Sequence, residues 1–108
     1  MQTPLRITFH GLDPSDAIEA RVRAEVDELE RVHGRVTSCH VTIDAPAAHR
    51  RKGGTWAVRI ALVVPGGELP VTRESGRDGS HVDPYIVLRD AFDAARRRLD
   101  DFHERRAP

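Results

Sequence analysis

The chain has 108 residues, with 17 basic and 17 acidic side chains and therefore no formal net charge. This length bounds it to one domain with a single modest core, and 39% hydrophobic with 31% charged residues is typical of a soluble globular protein, not a disordered one. Zero net charge argues against a protein that coats nucleic acid indiscriminately, although it leaves room for a local basic surface.

The first half of the chain predicts a strand, a helix and a strand. Alternating apolar and polar residues predict a strand over Leu5–Gly11. Asp13 as the N-cap and Pro14 at the first helical position predict a helix over Pro14–His33, and the β-branched run Val36–Asp44 predicts a second strand. The apolar stripe of the helix comprises Ile18, Val22, Val26, Leu29 and Val32.

The second half predicts two more strands and a long helix. Thr55–Val64 places its large apolar residues on one face, and the turn Pro65–Gly67 leads into a fourth strand, Glu68–Ser75. Pro70 favours a sheet edge for that strand. Asp83 and Pro84 then predict the start of a second helix, which runs to Phe102. Its apolar stripe comprises Tyr85, Leu88, Phe92, Ala95, Leu99 and Phe102.

These elements predict an α+β fold of order β-α-β-β-β-α, a single domain over residues 1–108. Two amphipathic helices bury both stripes most economically on one face of a four-stranded sheet. The first β-α-β unit should join parallel strands. One core should contain the following residues: Ile18, Val22, Leu29, Trp56, Val58, Ile60, Leu62, Tyr85, Leu88, Phe92 and Leu99.

Between the second and third strands, the sequence AHRRKGG concentrates positive charge. His49, Arg50, Arg51 and Lys52 are a candidate phosphate grip, since the planar arginine fork suits phosphate oxygens and lysine adds a point charge. The alternative is a solvated turn whose charge keeps it soluble. The loop alone does not decide between the two.

A second group of cations lies on the last helix and comprises Arg96, Arg97, Arg98, Arg105 and Arg106. Arg89 and Arg96 share a face at a spacing of seven residues, and Arg97 follows directly. These three residues are candidate phosphate contacts. The alternative is local pairing with acids at i, i+4, in the pairs Asp93–Arg97, Arg96–Asp100, Arg97–Asp101 and Asp101–Arg105.

Catalytic and metal chemistry have little support in the sequence. The six histidines show no metal-ligand spacing, so we expect no metal, no cofactor and no small-molecule substrate. Cys39 lies within a predicted strand and is expected to be a buried filler, and no nucleophile motif is present. A single cysteine excludes an internal disulfide and favours an intracellular setting. No apolar run is long enough to span a membrane, and the first residues lack a signal-peptide pattern.

Three stretches in this order of elements carry a family resemblance: Leu29–Arg31, Val64–Leu69 and Asp83–Phe92. Over about Leu5 to Leu99 the chain resembles the ribosome hibernation-promoting factor and ribosome-associated inhibitor A family. The resemblance implies a fold similar to double-stranded-RNA-binding domains. It also implies binding to the small ribosomal subunit in the channel for messenger and transfer RNA, where ribosomal RNA meets basic side chains, here Arg31 and Arg97.

The chain also departs from the family pattern. Glu25, Glu28 and Ala94 stand where lysines are common, and Pro14–His33 carries six acids against three arginines. The loop at His49–Lys52 would then provide part of the contact with ribosomal RNA. The longer members add a C-terminal domain that pairs ribosomes; we expect none here, and a monomer off the ribosome.

Three functions follow as hypotheses. The first is a non-enzymatic, cytoplasmic, ribosome-associated factor that silences idle ribosomes by occlusion. The alternative is a regulatory protein-interaction module of the same fold that uses its acidic first helix. A small metal or ligand binder is a third possibility.

Overall fold

A computed structural model of the protein describes residues 4–33, 36–46, 55–75 and 83–106. The six elements appear in the predicted order: β1 (Leu5–His10), α1 (Asp16–His33), β2 (Ser38–Asp44), β3 (Ala57–Val64), β4 (Gly67–Glu74) and α2 (Pro84–Arg106). Neither helix in this part of the chain is apolar enough over its length to cross a membrane.

The four strands form one mixed sheet in the order β1-β2-β3-β4. β1 pairs with β2 in parallel, as predicted, and the other neighbours are antiparallel. The turn between β3 and β4 uses Gly66 at a φ of 95°, which glycine adopts without strain. β4 lies at a sheet edge, as Pro70 predicts, because proline has no N–H for a further ladder.

The predicted cap of α2 is confirmed, and that of α1 is wrong. In α2 the backbone N–H of Tyr85 donates to Asp83 Oδ1 at 2.9 Å. In α1 the cap is Ser15, because the backbone N–H of Ile18 donates to the Ser15 hydroxyl oxygen at 3.2 Å. α1 therefore begins two residues after the predicted start, and Asp13 lies outside it.

One hydrophobic core joins both helices to one face of the sheet. α2 packs on β3 and β4, and α1 packs against α2. Val32, predicted to be in the α1 stripe, is instead 58% exposed, since it lies in the last turn beyond the covered surface. Trp56 and Tyr85 pack at the rim of the core and are partly buried. The other predicted core residues are buried: Ile18, Val22, Leu29, Val58, Ile60, Leu62, Leu88, Phe92 and Leu99.

α2 approaches the sheet closely along β4. Ala91, Ala94 and Ala95 are buried, and small side chains permit a short distance between helix and strand. At the start of β4, a Cβ added to Gly67 would lie 3.3 Å from the Phe102 ring. The C-terminal half of α2 therefore lies directly beside the edge strand, which places the helix's outward side chains next to those of β4.

The C-terminal ends of the two helices meet at His33. Its side chain is only 6% exposed, and its Nε2 lies 3.4 Å from Asp100 Oδ1 on α2. Nε2 has no hydrogen-bond partner among the described residues, and the ring packs edge-on against His103. Burial lowers the pKa of His33, an effect that the Asp100 carboxylate only partly opposes.

Candidate nucleic-acid interface

The cations of α1 are engaged within the helix. Arg31, which the resemblance marks as an RNA contact, donates from Nη2 to both carboxylate oxygens of Glu28 at 2.7 Å. The hydrogen bond and the charge of Arg31 hold the pKa of Glu28 below its ordinary value. Each α1 arginine has such a partner: Arg21 with Glu25, Arg23 with Glu19 and Arg31 with Glu28. A phosphate approaching α1 would have to displace glutamates from a helix that is acidic overall.

Arg96 connects the two helices. Its Nη1 lies 3.1 Å from Asp93 Oδ1, and its Nη2 lies 3.9 Å from Glu25 Oε1 of α1. The pair with Asp100, which the alternative interpretation would give, does not form within the described residues, because Arg96 contacts Asp93 in the preceding turn and Glu25 of α1 instead. Arg89, two turns earlier, is exposed and has no ion pair in the described part of the chain. Of the two predicted phosphate contacts on this side of α2, Arg96 is paired with acids, whereas Arg89 is not paired within the described residues.

Arg97 lies on the other flank of α2 and belongs to a shallow groove. The groove runs between edge strand β4 and α2, and Arg73 on the strand side stands opposite Arg97 and Arg98 on the helix side. The floor and the remaining lining are formed by Pro70, Val71, Thr72, Ala94 and Asp101. Arg97 therefore lies on a different side of α2 from Arg96, although the two residues are adjacent in the sequence.

The groove continues toward the end of α2. Arg98 and Asp101 also line its second half, where Leu69, Phe102 and Arg105 complete the walls. We call the whole surface, from Arg73 to Arg105, the β4–α2 groove. It holds four arginines, Arg73, Arg97, Arg98 and Arg105, and one acid, Asp101, a local net charge of +4 − 1 = +3 in a chain whose net charge is zero.

The arginines of the β4–α2 groove are not neutralised locally. The i, i+4 pairs that the alternative interpretation would give Arg97 and Arg105 are absent within residues 84–106: neither has a carboxylate at ion-pair distance, and the same holds for Arg98. Arg73 donates from Nη1 to the carbonyl oxygen of Thr72 at 2.8 Å, a bond that keeps its full charge. Exposed guanidinium groups on two facing walls are suited to bind phosphate oxygens.

The sequence analysis missed Arg73 and did not select Arg98 and Arg105 from the cations of the last helix. The signal for Arg73 was present: Leu69, Val71 and Arg73 alternate along β4, so Arg73 lies on the helix-covered face at its open end. Arg98 and Arg105 are seven residues apart, which puts them on one side of α2. The predicted grip at His49, Arg50, Arg51 and Lys52 lies outside the described residues.

On the opposite face of the sheet, the described residues show no comparable cluster of unpaired arginines. Asp44 accepts hydrogen bonds from Arg59 and from His10, whose Nδ1 lies 2.9 Å from Asp44 Oδ1. Thr8 and His40 form another polar contact across β1 and β2, between Oγ1 and Nε2 at 2.9 Å. On this face the charge of Arg59 is offset by a carboxylate of the neighbouring strand.

The described residues show no arrangement for metal or nucleophile chemistry. Within them, no three histidine, cysteine, aspartate or glutamate side chains are placed to hold a metal ion. Cys39 is buried in β2, as predicted, and burial raises the pKa of its thiol to about 12. A thiol with so high a pKa carries almost no thiolate at neutral pH and is a core filler.

Comparison with known proteins adds a family and a fold. Residues 5–107 match the family described as Sigma 54 modulation protein / S30EA ribosomal protein. The structure is similar to a ribosomal subunit interface protein from Coxiella burnetii, with a TM-score of 0.76 and 14% identity over 94% of this chain and 99% of that one. It is also similar to the N-terminal domain of Thermus thermophilus Protein Y, with a TM-score of 0.68 and 20% identity over the same shares. No curated protein sequence matches significantly.

Proposed function

The chain belongs to the Sigma 54 modulation protein / S30EA ribosomal protein family, and on this premise we propose that it is a ribosome-associated translation inhibitor. In this proposal it binds the small ribosomal subunit in the channel for messenger and transfer RNA, and it silences idle ribosomes by occupying that space. The protein then acts in the cytoplasm, on the ribosome. One of the two similar structures is named as a ribosomal subunit interface protein, which agrees with this assignment.

The observation that carries the proposal is the unequal distribution of charge. α1 holds its arginines in pairs with glutamates, whereas the β4–α2 groove presents four arginines against one acid. RNA is recognised first through its phosphates, so affinity depends on such local cations and not on net charge. Arg89 on α2, and the loop cations at His49–Lys52, would add to this grip.

Occlusion needs no chemical step from the protein. The family is one of ribosome-binding modulation factors and not of enzymes. A rigid domain that occupies the path of transfer RNA inhibits in proportion to its occupancy. Its inhibition should therefore follow binding and should be relieved by competing transfer RNA.

Sedimentation tests the proposal directly. Tagged protein from growing and from starved cells should co-migrate with small subunits or whole ribosomes through a sucrose gradient. Purified protein should lower cell-free translation in proportion to ribosome occupancy and should compete with transfer RNA on isolated small subunits. Inhibition without ribosome association, or binding without competition, would contradict occlusion.

A second candidate function rests on the acidic surface of α1. Its six acids against three arginines, each already paired, favour a basic protein segment over RNA as the partner of that helix. If this were the main activity, the protein would migrate away from ribosomes in the same gradient, in a complex with another protein. The gradient therefore separates the two candidates.

A further inference from the structure

We infer that the β4–α2 groove binds the sugar–phosphate backbone of a single RNA strand, and that α1 contributes little to RNA affinity. The inference rests on the proposed function and specifies which surface of the protein performs it. Arg73, Arg98 and Arg105 then become RNA-binding residues beside Arg97, although neither the sequence pattern nor the family resemblance singled them out.

The geometry of the groove fits a linear chain of charges. Arg98 and Arg105 are two turns apart on one side of α2, a separation of about 10 Å along the helix axis. Arg73 faces Arg97 and Arg98 from the strand wall at one end, and Arg105 lies beside Leu69 at the other. A phosphate backbone lying along the groove would meet cations from both walls in succession.

Whether the arginines are already paired with acids indicates which surface, the groove or α1, binds phosphate more strongly. The three α1 arginines would each have to leave a glutamate at 2.7–3.2 Å before binding phosphate. In the groove Asp101 is the one lining acid among the described residues, and it lies at ion-pair distance from none of the four arginines. Binding there gains the full interaction between arginine and phosphate.

The residues that line the groove also indicate which part of an RNA strand it would contact. Beside its charged groups it presents aliphatic side chains, Thr72 and the partly buried ring of Phe102. No tyrosine or tryptophan from the described residues lines it, so it offers no open ring of that kind on which bases could stack. We therefore expect contacts to the backbone and little preference for base sequence.

Two variants with the same change in net charge test the inference. The groove variant is Arg73→Ser/Arg98→Ser/Arg105→Ser, and the α1 variant is Arg21→Ser/Arg23→Ser/Arg31→Ser. Each loses three arginines, so general attraction between protein and RNA falls equally in both. The probe is a fluorescein-labelled 12-nucleotide oligouridylate, titrated by fluorescence anisotropy between 50 and 200 mM KCl. Urea unfolding of both proteins verifies that they remain folded.

The salt dependence of oligouridylate binding should be weaker in the groove variant and unchanged in the α1 variant. With about 0.7 units of log–log slope for each phosphate contact to a single strand, losing three contacts flattens the slope by about 2. The affinity ratio of wild type to groove variant should then be about 20-fold larger at 50 mM than at 200 mM KCl. Equal flattening in both variants, or no oligouridylate binding by the wild type, would overturn the inference. A conservative variant, Arg73→Lys/Arg98→Lys/Arg105→Lys, should retain most of the slope, because the charge remains.

The same proteins on purified small subunits separate this inference from the proposed function. If the wild type and the groove variant co-sediment with subunits with equal affinity and equal salt slope, the groove is not the RNA site and the proposed function stands. If the wild type binds oligouridylate through the groove but does not co-sediment with ribosomes, the groove stands and the ribosomal function fails.

Discussion

Replacing Phe92 with alanine is expected to lower the free energy of unfolding by about 3–5 kcal/mol. Phe92 is fully buried, at the point where α2 meets the sheet, and it is the largest fully buried side chain among the described residues. Ala91 and Ala95 of the same helix are also fully buried, so this part of α2 is enclosed and has little room to move into the space left by the ring. The effect should therefore lie in the upper part of the range for large-to-small core substitutions. This would be a large share of the ~5–15 kcal/mol that stabilises a typical domain.

Urea unfolding followed by circular dichroism measures this loss, and Ile86→Ala is the matched control. Ile86 is on the same helix but is 47% exposed, so its truncation should change stability by less than about 1 kcal/mol. With a slope of about 1–3 kcal/mol per M urea, the Phe92→Ala midpoint should fall by about 1 M or more. Equal midpoints for the two variants would show that α2 does not dock through Phe92, and the β4–α2 groove would then lack its helix wall.

Two further predictions concern pH and the basic loop. Because burial lowers the pKa of His33 in the folded protein, the unfolded chain binds the proton more readily, and the free energy of unfolding should fall as the pH drops below about 6.5. In urea unfolding at pH 7.0 and 5.5, the His33→Gln variant should show a smaller fall between the two pH values than the wild type. An identical fall in both proteins would contradict this role of His33. Replacing all three cations of residues 50–52 with serine should reduce the slope of the log binding constant for ribosomes against log salt concentration by about two to three units, with little change in melting temperature. If affinity and slope are both unchanged, the loop is a solvated turn and does not contact RNA.

The sequence predicted the order of the elements well because each strand and helix carried a clear apolar or β-branched pattern. The second helix had a cap at Asp83, a proline after it and a regular stripe, and all three appear in the structure. The start of α1 was placed wrongly because Asp13 and Ser15 both suit an N-cap. Only the three-dimensional path of the chain after Gly11, which has a φ of 79°, decides which of them reaches the first turn.

The candidate binding surface, the β4–α2 groove, was less predictable from the sequence, because it depends on contacts between distant parts of the chain. Spacing along one helix shows which arginines share a side, but not whether that side faces a glutamate of another helix or an edge strand. Arg96 and Arg97 are adjacent in sequence, yet one pairs with Glu25 of α1 and the other lines a groove with Arg73 of β4. Contacts between residues some 24 to 71 positions apart decide the role of each, and no local pattern encodes them.

Zero net charge and a grip on RNA are compatible because the fold separates the charges by surface. Each arginine of α1 is paired with a glutamate of the same helix, and Arg59 is paired with Asp44 on the open face of the sheet. The edge strand and α2 bring their arginines together on one flank. At ~0.15 M salt a charge acts over about 8 Å, so an RNA strand in the groove would respond to those arginines far more than to acids on the far side of the domain. In the proposed function, the local arrangement of charge and not the total charge would therefore set the affinity for RNA.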